Sequence, residues 1–342
     1  MGIKMANVSK TSALSVEDKQ KPFILIAAIL VGIILNRFVG GVAQSLYGLV
    51  NIGLFLVIFA IMLFVEVKDV GKAFTKVKPT TLALLTNFVF TPFFAWFLGW
   101  LFLRNYPDLW AGVVLYKLTP CIGWYLIFID LAEGDVPWGV ALLPWNLVLQ
   151  IVLLPLYLWL LVGRVVPVDA LELLRSVAVF LLLPFGLGWL VRSALLRWRG
   201  KEWTYGSFKH TMGEVKLWAL VAVIIGIFAS QSALSLNDLG RVALLIFVIS
   251  LFFVSMFVIG LLVGRLGRLG YEDTTTLVFT TTARNSEAVL PVAAAAFPGH
   301  PLVVFAILIG PIVELPVLLF LSRAMLWMKE RLWKHQALAL HN

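Results

Sequence analysis

The sequence predicts an all-α polytopic membrane protein with ten transmembrane helices, arranged as two inverted five-helix repeats with discontinuous, crossing spans four and nine. Three observations support this fold class. Of the 342 residues, 61% are hydrophobic and only 13% are charged, which leaves too little polar surface for a water-soluble domain. Apolar runs of spanning length recur along the whole chain. Two of these runs, at corresponding places in the two halves, are interrupted by polar residues.

Each apolar run is close to the roughly 20 residues that an α-helix needs to cross the hydrocarbon core of a bilayer. The first two runs are separated only by the Gly40–Gly41 link, so their boundary is the least defined. The predicted spans cover residues 22–39, 43–65, 80–103, 109–131, 137–163, 176–197, 215–236, 241–263, 273–297 and 301–326. The predicted organisation is a cytoplasmic tail (1–21), a first five-span repeat (22–163), a second five-span repeat (164–326) and a second cytoplasmic tail (327–342).

The distribution of basic residues predicts the orientation. With the N terminus inside, 20 of the 27 Lys and Arg residues, including Lys209 and Lys216, fall on the cytoplasmic side and 5 on the opposite side. This asymmetry predicts a multi-pass protein of the plasma (inner) membrane with both termini cytoplasmic. The net charge of +9 is then explained by cytoplasmic loops, and no nucleic-acid partner is expected. A single cysteine excludes an internal disulfide and any multi-cysteine metal site, and no cofactor is expected.

The two basic residues left over, Lys117 and Arg284, lie within spans four and nine. In span nine the sequence TTTARNSEA (280–288) places Thr282, Arg284, Asn285, Ser286 and Glu287 in an apolar region. Ionisable groups at membrane depth are costly, so they are expected to face a cavity or a partner. Arg284 and Glu287 are one helical turn apart, which permits a static ion pair. The other interpretation is a carboxylate linked to protons or substrate beside a transport path.

Span four is interrupted by KLTPCIG (117–123), which holds Lys117 and the only cysteine, Cys121. Pro120 removes a backbone donor and frees carbonyls in the preceding turn, and Gly123 permits close backbone approach. A lone buried cysteine is usually a small apolar residue. Beside freed backbone dipoles, however, its soft thiol is a candidate ligand for a thiophilic solute.

Four further polar residues lie at predicted membrane depth. Asn146 and Gln150 are four residues apart on one face of span five, which suits either hydrogen bonding between helices or contact with a ligand. Asn87 in span three has the same two interpretations. Glu314, between two prolines of span ten, is either a second coupling carboxylate or a hydrogen-bonded structural acid.

Two stretches resemble the arsenical-resistance permease family, the arsenite exporters of the bile acid:sodium symporter superfamily. One is PCIGWYLIFIDLAEGDVPWGVALLPWNLVLQIVLLPLY (120–157), with a cysteine in span four and Asn and Gln in span five. The other is ARNSEAVLPVAAAAFPGHPLVVFAILIGPIVELPVLL (283–319), with Asn-x-Glu in span nine and I-G-P-x-x-E-x-P-V in span ten. The sequence departs from the family at Thr119, Pro120, Gly123 and Trp124 around the cysteine, and at Ser286 before the glutamate.

The resemblance implies a secondary transporter that exports trivalent arsenic as arsenite, with antimonite as a further candidate, in exchange for protons. It implies that Cys121 contacts arsenic transiently and that Glu287 binds substrate and carries the coupling proton. The expected substrate-binding set is Cys121, Glu287, Asn285, Asn146, Thr282, Pro120 and Gly123. The expected ion-coupling set is Glu287, Arg284 and Glu314, and the secondary set is Lys117, Gln150, Asn87 and Ser286.

Three other functions stay open at this point, one of which is a passive channel that saturable exchange kinetics would argue against. The nearest is a sodium-coupled importer of an organic anion within the same superfamily, in which Arg284 and Lys117 would neutralise the anion. An intramembrane enzyme with Cys121 as nucleophile would need a base, and no histidine is predicted deep in any span. The prediction is therefore a transporter and not an enzyme.

Overall fold

The computed structural model describes residues 47–64, 76–122, 124–166, 178–230, 239–297 and 299–333, together with residues 171 and 175 and a scattered set between 24 and 38. Helices account for nearly all of this part of the chain. The helices are α1 Tyr47–Met62, α2 Val77–Leu85, α3 Thr91–Leu103, α4 Pro107–Lys117, α5 Tyr125–Leu131, α6 Val136–Tyr157, α7 Leu183–Trp198, α8 Gly200–Trp203, α9 Lys209–Ser230, α10 Leu239–Leu266, α11 Tyr271–Thr282, α12 Ser286–Ala296 and α13 Pro301–Met328. Short π-helical turns occupy Thr86–Phe90, Leu158–Val162, Ala178–Leu182, Thr204–Phe208 and Lys329–Trp333.

Four continuous helices in the described residues are long and apolar enough to cross a membrane, and they correspond to predicted spans three, five, eight and ten. At a rise of 1.5 Å per residue, a helix of this length reaches about 40 Å, more than the roughly 30 Å of a bilayer core. The all-α membrane architecture is therefore confirmed, whereas ten spans in two inverted repeats stay a prediction. The four helices are Val77–Leu103, Val136–Val162, Leu239–Leu266 and Pro301–Arg331.

The remaining predicted spans are described in part. The described residues between 24 and 38 are helical and fall in predicted span one, and α1, α7 and α9 fall in spans two, six and seven. The first predicted cytoplasmic tail lies outside the described residues, as does the second from residue 334 onward. The boundary between the two repeats, at residues 163 and 164, also stays a prediction.

Predicted spans four and nine are each built from two short helices with an extended link between them. Span four is α4 followed by α5, and span nine is α11 followed by α12. A helix of 11 residues, such as α4, extends only about 16 Å, roughly half of the bilayer core. We therefore expect both links to lie near mid-membrane.

The helices form two groups. In the first, which we call the α1 group, α1 packs against α7 and α9. In the second, which we call the crossover group, α10 and α13 pack around the broken helices, with α2, α3 and α6 beside them. Helix α12 joins the groups because it packs against both α1 and α13. The second half of interrupted span nine thus lies at the boundary between the two groups.

Glycines allow close helix contact between α4 and α13 in the crossover group. A Cβ on Gly112 would lie 2.4 Å from the carbonyl oxygen of Val303. A Cβ on Gly310 would lie 2.2 Å from the ring of Tyr116. Because real Cβ atoms do not approach other atoms so closely, both positions require glycine for this packing. The packing holds Tyr116 against α13.

The contacts between loops are consistent with a topology in which successive spans run in opposite directions. Lys76, before α2, bonds to Asp135 (Nζ–Oδ2 2.6 Å) and to Asp273 at the start of α11. At the other end of the helices, Nδ1 of His300 lies 3.0 Å from Oδ1 of Asp108, at the start of α4. These links join loops that the topology predicts on the same side of the membrane.

Candidate functional site

The two predicted interruptions meet and pair through their backbones. The N–H of Cys121 donates to the carbonyl of Ala283 (3.1 Å), and the N–H of Asn285 donates to the carbonyl of Thr119 (2.8 Å). These two bonds make one short antiparallel bridge between the extended links. Both predicted interruptions are therefore breaks between two helices in the described residues, and the two breaks meet at this bridge.

Side chains at the crossing fix the position of α12. The hydroxyl of Thr119, which is fully buried, donates to the carbonyl of Asn285 (2.8 Å). The side-chain oxygen of Asn285 accepts the N–H of Ala288 (3.1 Å). Asn285 is therefore the N-cap of α12, and its cap satisfies one of the donors that a helix start leaves open. Its predicted contact with substrate has to be made from this capping position.

A cavity of about 580 Å³ lies between the α1 group and the crossover group. From the α1 group it is lined by residues of α1 and α9, including Lys209 and Lys216. Its volume suits a small solute and its lining is largely apolar. The predicted site residues that line it are Cys121, Arg284, Asn285, Ser286, Glu287 and Glu314.

Glu287, in the first turn of α12, forms an ion pair across this cavity. Its Oε2 accepts from Nζ of Lys216 on α9 at 2.8 Å. The side chains are 28% and 27% exposed, respectively. The pair connects the crossover group to the α1 group, so the charge on Glu287 influences how the two groups hold together.

Arg284 does not form the predicted pair with Glu287. Its guanidinium donates to the carbonyl of Lys117 (3.3 Å), to the side-chain oxygen of Asn87 (3.1 Å) and to the carbonyl of Thr281. The pairing fails because Arg284 lies in the extended link, whereas Glu287 lies in the helix that follows it. The three-residue spacing brings side chains together only when all the intervening residues are helical.

Glu314 is held from two directions. Its Oε1 accepts the backbone N–H of Arg284 (2.8 Å), and its Oε2 accepts the hydroxyl of Tyr116. The residue is only 5% exposed. Both carboxylate oxygens are thus used to fix the second link to α4 and α13. This geometry matches the structural-acid interpretation of Glu314.

The ammonium group of Lys117 lies in an aromatic environment. Its Nζ is 3.7 Å from the ring centroid of Phe253, 3.9 Å from that of Tyr116 and 4.5 Å from that of Phe252. It forms no hydrogen bond within the described residues. The faces of aromatic rings attract cations at such distances. Lys117 is fully buried and is not part of the cavity lining.

Several other predicted site residues lie behind the cavity. Asn146 donates to the hydroxyl of Thr280 (3.2 Å), and Asn87 donates to Asn146 (3.4 Å), so both connect helices. The side chain of Gln150 and the hydroxyl of Thr282 are buried and have no hydrogen-bond partner in the described part of the chain. Pro120 contributes to the backbone bridge, and Gly123 lies outside the described residues.

Sequence reasoning missed the cavity-lining lysines of α9. Lys209 and Lys216 were both counted among cytoplasmic loop residues, yet α9 begins at Lys209 and places both side chains on the cavity. A signal was present for Lys216, since it falls inside predicted span seven. Thr119 and Tyr116 were also missed as residues that hold the crossing together.

The arrangement brings together a soft thiol, a carboxylate and an ammonium group on one cavity. No cluster of three or more His, Cys, Asp or Glu side chains that could hold a metal ion occurs in the described ranges. One thiol and a few polar groups can contact a small solute reversibly, without the tight cage of a storage site. This chemistry suits transient binding.

Comparisons with known proteins find relatives that are similar in sequence along most of the chain. The arsenical-resistance protein Acr3 of Corynebacterium glutamicum is 26% identical, in an alignment covering 95% of this chain and 93% of that protein. The arsenical-resistance protein Acr3 of Alkaliphilus metalliredigens is 25% identical over 87% of this chain and 88% of that protein. An uncharacterized transporter of Synechocystis is 26% identical over 86% of this chain and 84% of that protein.

The resemblance to arsenical-resistance permeases is therefore confirmed at the level of sequence similarity. The model of the sodium bile acid symporter family matches residues 51–237, which is more than half of the chain. The chain therefore belongs to the sodium bile acid symporter family and is a membrane transporter, not an enzyme.

Proposed function

We propose that this transporter exports trivalent arsenic, as arsenite and by similar chemistry antimonite, in exchange for protons. The observation that carries the proposal is the convergence of the Cys121 thiol and the Glu287 carboxylate on one cavity at the crossing of two broken helices. Such crossings are where secondary transporters bind substrate and coupling ions. The names of two relatives, both arsenical-resistance proteins, support the choice of solute.

Cys121 is the proposed arsenic contact. Sulfur is a soft ligand and favours thiophilic solutes over hard ions such as Na⁺. A single thiol holds arsenite weakly enough for release, which a carrier requires. Asn285 and Ser286 line the same cavity and offer polar groups to the arsenite hydroxyls. Binding of the neutral solute needs no charge compensation at membrane depth.

Glu287 is the proposed proton carrier, with Lys216 as its partner in the deprotonated state. When Glu287 is ionised, the pair with Lys216 joins the two helix groups across the cavity. Protonation removes the negative charge and weakens that link, which allows the groups to move relative to each other. A proton taken up on one side of the membrane and released on the other would then drive arsenite export.

The decisive experiment measures arsenite flux in vesicles with an imposed pH gradient. Cys121→Ala is expected to reduce flux strongly, and Glu287→Gln is expected to abolish its response to the gradient. Glu133→Gln is a matched control, because Glu133 pairs with Lys329 away from the cavity. Gradient-driven flux that persists in Glu287→Gln would rule out its coupling role. Full flux in Cys121→Ala would rule out the thiol contact.

A second candidate is a sodium-coupled importer of an organic anion. The observation that favours it is the basic lining contributed by Lys209, Lys216 and Arg284, together with the name of the family. Uptake of a carboxylate or sulfonate that requires Na⁺ and is unaffected by Cys121→Ala would favour this function over arsenite export.

A further inference from the structure

The guanidinium of Arg284 lies among three oxygen atoms where α4 and α11 end. Two of these are the backbone carbonyls of Lys117 (3.3 Å) and Thr281, and the third is the side-chain oxygen of Asn87 (3.1 Å). Lys117 is the last residue of α4, and Thr281 is the last but one of α11. Carbonyls in the last turn of a helix have no partner within it. We call this set of oxygens the oxygen cradle.

An oxygen cradle of this kind is typical of a coupling-cation site. In secondary transporters, the C-terminal ends of broken helices and unwound carbonyls coordinate Na⁺ or take part in proton binding. Hard cations prefer such carbonyl and amide oxygens. The name of this chain's family includes sodium, so the occupant of the cradle bears directly on the coupling ion. In this chain the oxygen cradle is occupied by the guanidinium of Arg284.

The fixed charges around the cradle balance without a metal ion. Each helix C-terminus carries roughly half a negative elementary charge, so the ends of α4 and α11 together carry about one. The guanidinium of Arg284, which donates to a carbonyl at each end, supplies one positive charge. A sodium ion in the same place would meet the guanidinium and leave an excess of buried positive charge.

We propose that Arg284 is a built-in cation that takes the place of a coupling Na⁺, so that the transport cycle proceeds without Na⁺. This inference deepens the proposed function, on which it rests, by assigning the choice of proton over sodium to one residue. Arg284 acts as a specificity-determining residue for the coupling ion and does not contact arsenite in order to do so.

The test compares thermal unfolding of the purified full-length protein in nanodiscs, in NaCl, KCl and choline chloride at fixed ionic strength. An ion that binds only the folded state raises the midpoint. For the wild type we expect the same midpoint in all three salts. For Arg284→Ala, which opens the cradle, we expect a midpoint at least about 2 °C higher in NaCl than in KCl. Arg284→Lys, which keeps the cation, should show no preference for sodium.

A sodium-specific rise in the wild type would overturn the proposal. So would an Arg284→Ala variant whose midpoint is indifferent to Na⁺. If Arg284→Ala does not fold, Arg284→Gln takes its place, because a shorter neutral side chain also frees part of the cradle. No arsenical is present in these measurements, so they stand apart from the flux assay. Absent arsenite flux would overturn the proposed function and leave this result unaffected.

Discussion

The hydroxyl of Thr119 offers a direct test of how the crossing is held together. Thr119 is fully buried, and its Oγ1 lies 2.8 Å from the carbonyl oxygen of Asn285 and 3.2 Å from that of Tyr116. A hydroxyl has one proton, so the shorter contact, which joins the two links, is the main hydrogen bond. Thr119→Val keeps the shape of the side chain and removes this donor.

The expected destabilisation follows from the lost bond. Removing one partner of a buried hydrogen bond costs about 1–3 kcal/mol, because the remaining group keeps its desolvation penalty. The two backbone bonds of the crossing stay in place, so the helices should still meet. For a chain of 342 residues, a loss of this size corresponds to a fall in the thermal midpoint of roughly 1.5–4 °C.

The assay is thermal unfolding of the purified protein in nanodiscs, with two controls. Thr119→Ser keeps the hydroxyl and loses only a methyl group, which costs about 0.8 kcal/mol. Thr211→Val removes an exposed hydroxyl that bonds to the carbonyl of Ser207, in the π-helical turn just before α9, and should leave the midpoint unchanged. A Thr119→Val midpoint equal to that of the wild type, or a Thr119→Ser variant that loses more, would refute the reasoning.

Three further predictions concern packing, capping and charge. Gly310→Ala forces Tyr116 to move and should cost about 1–3 kcal/mol, whereas Gly186→Ala, with open space around its Cβ, should be neutral in the same melts. Asn285→Ala removes the cap of α12 and should cost about 1 kcal/mol, most of which Asn285→Ser should recover. Partial burial opposes the charge of Lys76, but its bonds to two aspartates outweigh burial and raise its pKa. Its contribution is therefore complete below the ordinary lysine pKa and lost as pH rises through the raised value. Lys76→Met should lower the thermal unfolding midpoint at neutral pH. The effect should be smaller in high salt, and it should vanish at a pH above the raised pKa of Lys76.

Local sequence predicted the breaks well because their causes are local. Pro120 cannot continue the hydrogen bonding of α4, and Asn285 is a favourable N-cap residue. Polar residues in an otherwise apolar run marked the same places. The exact helix ends, such as the start of α9 at Lys209, were predicted less well because hydropathy changes gradually there.

The partners of the site residues could not be predicted, because they come from distant parts of the chain. Glu287 pairs with a residue 71 positions away, and Arg284 bonds to one 197 positions away. Helical periodicity relates only neighbours on the same helix, so it predicted an ion pair between Arg284 and Glu287. That pair does not form because Arg284 lies in the extended link between the helices, where helical periodicity does not apply.

The two carboxylates on the cavity differ in what their charge controls. The carboxylate of Glu314 accepts two hydrogen bonds within the crossover group, from the backbone of Arg284 and from Tyr116. A change in its protonation would therefore disturb the crossing itself. Glu287 instead reaches Lys216 on the α1 group. A change in its protonation alters a bond between the two groups, which are the parts that must move for alternating access. This difference in position, more than the presence of a carboxylate at membrane depth, favours Glu287 over Glu314 as the proton carrier.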